Sequence, residues 1–209
     1  ASWESPCSCW SKTYRVRRQC AREVSLDWNF AISEARLRTA PYIRRTPVIQ
    51  THLAGREVEL KLEQMQHTGS FKARGAFNSL LSQKVPAAGV VAASGGNHGA
   101  AVAFAASRLG HPAKIFVPEL AGAAKIALIR RSGADLAIVP GVYDNALAAA
   151  KTHEAETGAM QIHAYDAPAT VAGQGTLFAE WEDQGLAADT VLIAVGGGGL
   201  ICGAAAWFG

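Results

Sequence analysis

The spacing of apolar residues switches repeatedly between a strand period of two and a helical period near 3.6, and the switches fall at glycines and prolines. "GVVAASGG" is a short β-branched run entering glycines, and "NHGAAVAFAASRLG" is an alanine-rich helix stopped at Gly110. "AKIFVP" reads as a strand, "AGAAKIALIRRSG" as a helix and "DLAIVP" as a strand. "YDNALAAAKTHEAETG" is a helix, "MQIHAY" a strand and "VAGQGTLFAEWEDQG" a helix closing at Gly185. "DTVLIAVGGGG" gives a last strand, and "LICGAAAWFG" starts one more helix. Upstream, a capping residue within Ser25–Asp27 precedes the helix "WNFAISEARLRTA", which ends before Pro41. "TPVIQT" and "VELKLE" read as strands. Strand–helix alternation with short links predicts an α/β fold with parallel sheets.

The two ends break this rhythm. Residues 191–209 carry no charge, a length that suggests a membrane span. Gly196–Gly199 divides the run into a β-branched part and an alanine-rich part, so strand, tight loop and helix describe it better, and no membrane partner is expected. The final helix is apolar on every side with nothing after it, which predicts C-terminal truncation. Residues 1–24, "ASWESPCSCWSKTYRVRRQCAREV", hold no sustained period and are set apart as an N-terminal extension, unstructured or artefactual.

Composition adds three limits. With 209 residues, 49% hydrophobic and 18% charged, the chain can bury a sizeable core and is not a disordered chain. The net charge of +3 resides in residues 1–24, where Lys12, Arg15, Arg17, Arg18 and Arg22 stand against Glu4 and Glu23. The remainder balances, leaving no nucleic-acid footprint. Cys7, Cys9 and Cys20 match neither a paired zinc spacing nor a disulfide framework, Cys202 reads as a small core residue, and a reducing, cytoplasmic compartment is expected. No metal-ligand constellation is visible.

Candidate chemistry collects at three places. "VLIAVGGGGL" joins a strand to a helix through Gly196, Gly197, Gly198 and Gly199, either a tight turn or a backbone cradle for phosphate. It does not meet the dinucleotide glycine spacing. "AASGGNHGAA" sets Ser94, Gly95, Asn97 and His98 at a helix start, where they are ordinary caps or a seat for a small carboxylate. Lys72 follows Phe71 and precedes Ala73, Gly75 and Ala76. It is a snorkelling structural lysine or, if burial lowers its pKa, an amine nucleophile. Pyridoxal phosphate chemistry uses all three features together: an imine-forming lysine, a phosphate seat and donors for an amino-acid carboxylate.

The run Lys61-x-Glu63-x-x-Gln66-x-Thr68-Gly69-Ser70-Phe71-Lys72-x-Arg74-Gly75-Ala76 resembles the serine/threonine dehydratase family of fold-type II pyridoxal-phosphate enzymes. "SGGNHGAA", "VAGQGT" and "VGGGGL" follow in that family's order, and the likeness runs from about residue 26 to 209. The resemblance implies two parallel-sheet, three-layer α/β/α domains, the larger one incomplete. Residues 25–77 and 152–209 fall to a large cofactor-binding domain and 78–151 to a small domain. It implies Lys72 as the Schiff-base lysine, Phe71 against the cofactor ring, Asn97 on the ring hydroxyl and Gly196–Gly199 on the phosphate. Ser94, Gly95, Asn97 and His98 would receive the substrate carboxylate.

The implied reaction is α,β-elimination of water from L-threonine or L-serine, giving a 2-oxo acid and ammonia, with homo-oligomers formed at full length. Lys72-Ala73-Arg74 departs from the Lys-Asp-Arg of β-replacement relatives, and Gly95 stands where serine racemases place a second serine. Both departures favour a dehydratase over those alternatives. The family's pyridine-nitrogen partner and acidic metal site fall beyond Gly209, so weak or absent activity of this chain alone is expected, and a non-catalytic fragment is the further alternative.

Overall fold

The computed structural model describes residues 27–209. The N-terminal extension, with Cys7, Cys9 and Cys20, lies outside the described residues. Helix α1 (Trp28–Thr39) starts where the Asp27 carboxylate accepts from the Phe30 amide at 3.0 Å. Strands β1 (Val48–Leu53) and β2 (Arg56–Lys61) pair antiparallel. Their two-residue link, Ala54 and Gly55, has φ of 50° and 75°, the handedness that a two-residue hairpin needs.

After two 3-10 turns (Glu63–Met65 and His67–Gly69) come α2 (Lys72–Leu81), β3 (Val90–Ala93), α3 (Asn97–Leu109) and β4 (Ala113–Pro118). Then follow α4 (Ala123–Arg131), β5 (Asp135–Val139), α5 (Tyr143–Thr157), β6 (Met160–Gln161), α6 (Pro168–Glu182) and α7 (Gly199–Phe208).

One four-stranded parallel sheet, ordered β5-β4-β3-β6, forms the centre. Strand alternation sorts its side chains into two layers. Val90, Ala92, Ile115 and Val117 pack beneath α3 and α4, whereas Val91, Ala93 and Phe116 pack against Ala146 and Ala150 of α5. The chain steps outward from β3 to β5, and α5 then carries it back across the opposite face to β6. β6 therefore completes the four-stranded sheet, although it lies beyond the sequence-based boundary at 151.

The second half of the fold is built around α6, which is buried continuously from Thr170 to Glu180. Its glycines make room for close crossings. A Cβ on Gly173 would lie 2.6 Å from the Gly75 Cα of α2, and one on Gly203 of α7 would lie 2.7 Å from the Gly175 amide nitrogen. "VAGQGT" is thus a packing motif.

Two expectations are corrected here. The strand predicted through Asp189–Val195 forms no ladder among the described residues: Leu192 is 93% exposed while Val191 and Ile193 pack beside Leu177 and Phe178. The two-residue alternation is present, but no neighbouring strand pairs with it. Cys202 is exposed and not a core residue, because α7 packs on α6 through Gly199, Gly203 and Ala204, leaving Ile201 and Cys202 outside.

Candidate functional site

Open parallel sheets bind ligands beyond the strand carboxyl ends, where successive connections leave in opposite directions. Here that point lies between β3 and β6, and every sequence-predicted site element gathers around it. The three residues after β6 offer their carbonyls in turn. The Ile162 carbonyl meets His98 Nε2 at 2.8 Å, the His163 carbonyl accepts from Thr170 Oγ1 at 3.0 Å, and the Ala164 carbonyl accepts from Lys72 Nζ at 2.6 Å.

Lys72 opens α2 and is half-buried. Burial pushes its pKa below the ordinary lysine value, since the ammonium loses hydration that one carbonyl does not replace. Its Nζ also lies 5.2 Å from the centroid of the Phe71 ring, a contact that favours the proton. Phe71 packs against Leu177, Trp181 and Leu200 and lines a cavity of about 140 Å³ with them. The amine is thus held between a carbonyl and an aromatic face, away from any carboxylate partner among the described residues.

The glycine quartet lies one residue away from that tether. A Cβ on Gly197 would fall 2.3 Å from Cδ1 of Tyr165, and one on Gly199 would fall 2.9 Å from the Tyr165 Cα. A notional Cβ has open space at both Gly196 and Gly198, but Gly198 has φ of 92°, a backbone conformation that side chains rarely adopt. Three of the four glycines therefore have packing or backbone reasons, and the glycine count alone does not argue for an anion. The amides do. Gly196–Gly199 donate to no backbone or side-chain acceptor among the described residues, at the N-terminus of a ten-residue helix.

The loop after β3 is shaped by Ser94, whose Oγ accepts from the Gly96 amide at 3.1 Å. Asn97 is the first residue of α3, is exposed, and has no side-chain partner among the described residues. A Cβ on Gly95 would lie 2.3 Å from the Ala121 Cβ, so that position faces the loop after β4.

The His98 side chain is 6% exposed. A carbonyl only accepts, so Nε2 donates to Ile162. Burial, with Lys72 and His163 nearby and the Ile162 carbonyl opposing, pushes the His98 pKa down to about 4. The neutral ring ties the start of α3 to the segment after β6 as a strut, leaving its backbone amide, not its imidazole, at the helix start.

Behind α2 lies a charge cluster that sequence reasoning reached only as motif letters. Arg74, fully buried, donates through Nε and Nη2 to Glu63 at 2.8 and 2.7 Å and through Nη1 to Glu180 at 3.0 Å. Lys61 reaches the same Glu180 and donates to the Thr46 carbonyl at 2.8 Å. Two cations and two carboxylates cancel, and hydrogen bonds fill the remaining positions, which such a buried group requires. Burial raises the Glu180 pKa, but hydrogen bonds and charge from Arg74 and Lys61 outweigh it, so the net direction is down. Burial is likewise the main cause of the lowered Lys61 pKa. Glu180 was not singled out from sequence; its signal was a carboxylate between Ala179 and Trp181 in an apolar helix.

An amine of lowered pKa beside unpartnered helix-start amides suits a ligand that carries an aldehyde and a phosphate, and the chain's likenesses agree. It is 40% identical over 179 residues to a phenylserine dehydratase of Ralstonia pickettii, covering 83% of this chain and 55% of that protein. It is 39% identical over 178 residues to an L-threonine ammonia-lyase of Thermotoga maritima, covering 82% and 44%. Maize serine racemase superposes with a TM-score of 0.82 at 37% identity, over 86% of this chain and 56% of that one. The chain spans about half the length of these relatives. The stretch that carries Lys72, the Ser94–Asn97 loop and the glycine quartet lies within residues 39–209, which match the model for pyridoxal-phosphate dependent enzymes, and the chain belongs to that family.

Proposed function

We propose that the chain carries the pyridoxal-phosphate site of a hydroxy-amino-acid dehydratase, acting on L-threonine, L-serine or a β-substituted relative. The observation that carries this reading is Lys72, a half-buried amine of lowered pKa at the switch point, next to the segment that backs the glycine loop. Lys72 Nζ would hold the cofactor aldehyde by condensation with loss of one water, and the Gly196–Gly199 amides would seat its phosphate. Asn97 would donate to the ring hydroxyl. Ser94, with the Gly95, Asn97 and His98 amides at the start of α3, would receive the substrate carboxylate. When bound, the cofactor supplies an electron sink for charge developing at Cα.

The chain's own chemistry is proton transfer. Lys72 Nζ would take the Cα proton, and burial favours the unprotonated amine that this step needs. The β-hydroxyl would depart as water with one added proton, balanced by the one removed from Cα, and the released unsaturated amine would take up one water to give a 2-oxo acid and ammonia.

The serine racemase reading rests on the likeness to the maize enzyme. Gly95 supports the dehydratase instead, because it offers no side chain for proton exchange on a second face.

The test is incubation with pyridoxal phosphate, borohydride reduction and peptide mass mapping, then addition of L-threonine or L-serine alone. The adduct is expected on Lys72 and absent from Lys72→Ala, with 2-oxo acid released without a second substrate. An adduct on another lysine overturns the site. D-serine formed in place of 2-oxo acid overturns the reaction.

A further inference from the structure

Tyr165 touches both halves of the site. Its own residue backs Gly197 and Gly199 at distances no Cβ tolerates, and the residue before it, Ala164, accepts the Lys72 hydrogen bond at 2.6 Å. Adjacent Cα atoms are fixed at about 3.8 Å, so one peptide unit links the tether of the amine to the support of the glycine amides. The unit is itself clamped. The Asp166 and Tyr165 amides donate to His163 Nδ1 at 2.8 and 3.4 Å, and the His163 ring meets the Tyr165 ring edge-on at 4.9 Å between centroids. Thr170 holds the His163 carbonyl and in turn meets Ser79 Oγ of α2 at 3.1 Å.

We infer that the Ala164–Tyr165 unit sets the separation between the Lys72 amine and the phosphate seat, with the Tyr165 ring as the positioning residue for the glycine amides. This rests on the reading that Gly196–Gly199 seats the cofactor phosphate. The tyrosine ring supplies a flat wall against which the side-chain-free backbone of Gly197 lies, while Gly199 rests on the Tyr165 main chain and Cβ. Without the wall the loop relaxes and its amides no longer converge, while Lys72 keeps its main-chain tether. The role belongs to the ring, not to the hydroxyl.

The experiment compares pyridoxal 5'-phosphate with pyridoxal, which has the aldehyde but no phosphate. The quantity read is the concentration giving half-maximal borohydride-trapped adduct on Lys72 in the 209-residue chain. Wild type and Tyr165→Phe should favour the phosphorylated compound by similar factors. Tyr165→Ala should lose about tenfold or more of that preference, the scale of one charge-assisted hydrogen bond, while trapping pyridoxal as wild type does. Unchanged pyridoxal trapping shows that fold and amine survive. If Tyr165→Ala does not fold, Tyr165→Leu carries the same comparison. A folded variant lacking the ring that keeps the full preference overturns the inference. Equal affinity of wild type for the two compounds overturns the phosphate seat itself.

Discussion

Replacing His98 with glutamine tests the strut between the start of α3 and the segment after β6. The imidazole is buried, its Nε2 donates to Ile162, and its pKa falls from 6.5 to about 4. In the unfolded chain the ring takes a proton near pH 6.5; in the folded chain it resists until about pH 4. The unfolded state therefore binds more protons throughout that window. Stability is fully present above pH 6.5 and is lost as pH falls towards 4. The loss amounts to about 3 kcal/mol, most of it gone by about pH 4.5, against a total of about 5–15 kcal/mol for a typical domain.

His98→Gln keeps a donor for the Ile162 carbonyl and removes the titration. Urea unfolding followed by tryptophan fluorescence between about pH 4.5 and 8 should show wild type losing about 2–3 kcal/mol more than the variant. His67, also lowered chiefly by burial with Arg44 and Arg108 nearby, contributes the same sign but is present in both proteins and cancels. Parallel pH curves for the two proteins would refute a buried, neutral His98.

Glu180→Gln leaves Arg74 and Lys61 sharing one carboxylate and should destabilise by about 3 kcal/mol in urea unfolding near pH 7. The wild-type contribution of Glu180 is present above the ordinary carboxylate pKa and disappears as pH drops through its lowered folded value, so the gap between the proteins should narrow in acid. Gly203→Ala brings a Cβ to 2.7 Å from the Gly175 amide and should cost about 1–3 kcal/mol as α7 parts from α6, read as a lowered melting temperature. Gly95→Ser meets the Ala121 Cβ at 2.3 Å and should melt earlier; adding Ala121→Gly should restore part of the loss, and equal melting of single and double variants would contradict the loop packing.

The elements were legible wherever chemistry and period were local. Helix α3 ends at Gly110, and α5 at Gly158, because both glycines take the left-handed cap. Lys72 stood out because its neighbours in sequence are also its neighbours in space on α2. What stayed hidden is what depends on distant pairing. Glu180 meets Arg74 across 106 positions, and nothing in a helical period says which buried face opposes it. The alternation of Val191–Val195 was readable, but pairing needs a neighbour that the pattern does not name. An all-apolar helix such as α7 gives no sign of which side is covered, and Cys202 was misplaced for that reason. The expectation at the glycine quartet rested on an incomplete reason: Tyr165 and a left-handed φ account for three of its members.

The tie between the amine and the two loops runs through main-chain carbonyls at 162–164, which any residue provides. A substitution scan along those three positions therefore under-reports their importance, since the accepting atoms survive every change. The donors are sensitive instead. Loss of Lys72, His98 or Thr170 leaves one carbonyl without its partner, and the cost differs with burial. The His98 bond is the most enclosed of the three, the ring being 6% exposed, so its loss strands an acceptor that water reaches poorly. Lys72 is only half-buried, and its carbonyl is already reachable. That asymmetry fits the division of labour proposed above: the strut must persist, whereas the lysine must leave Ala164 each time it bonds to an aldehyde.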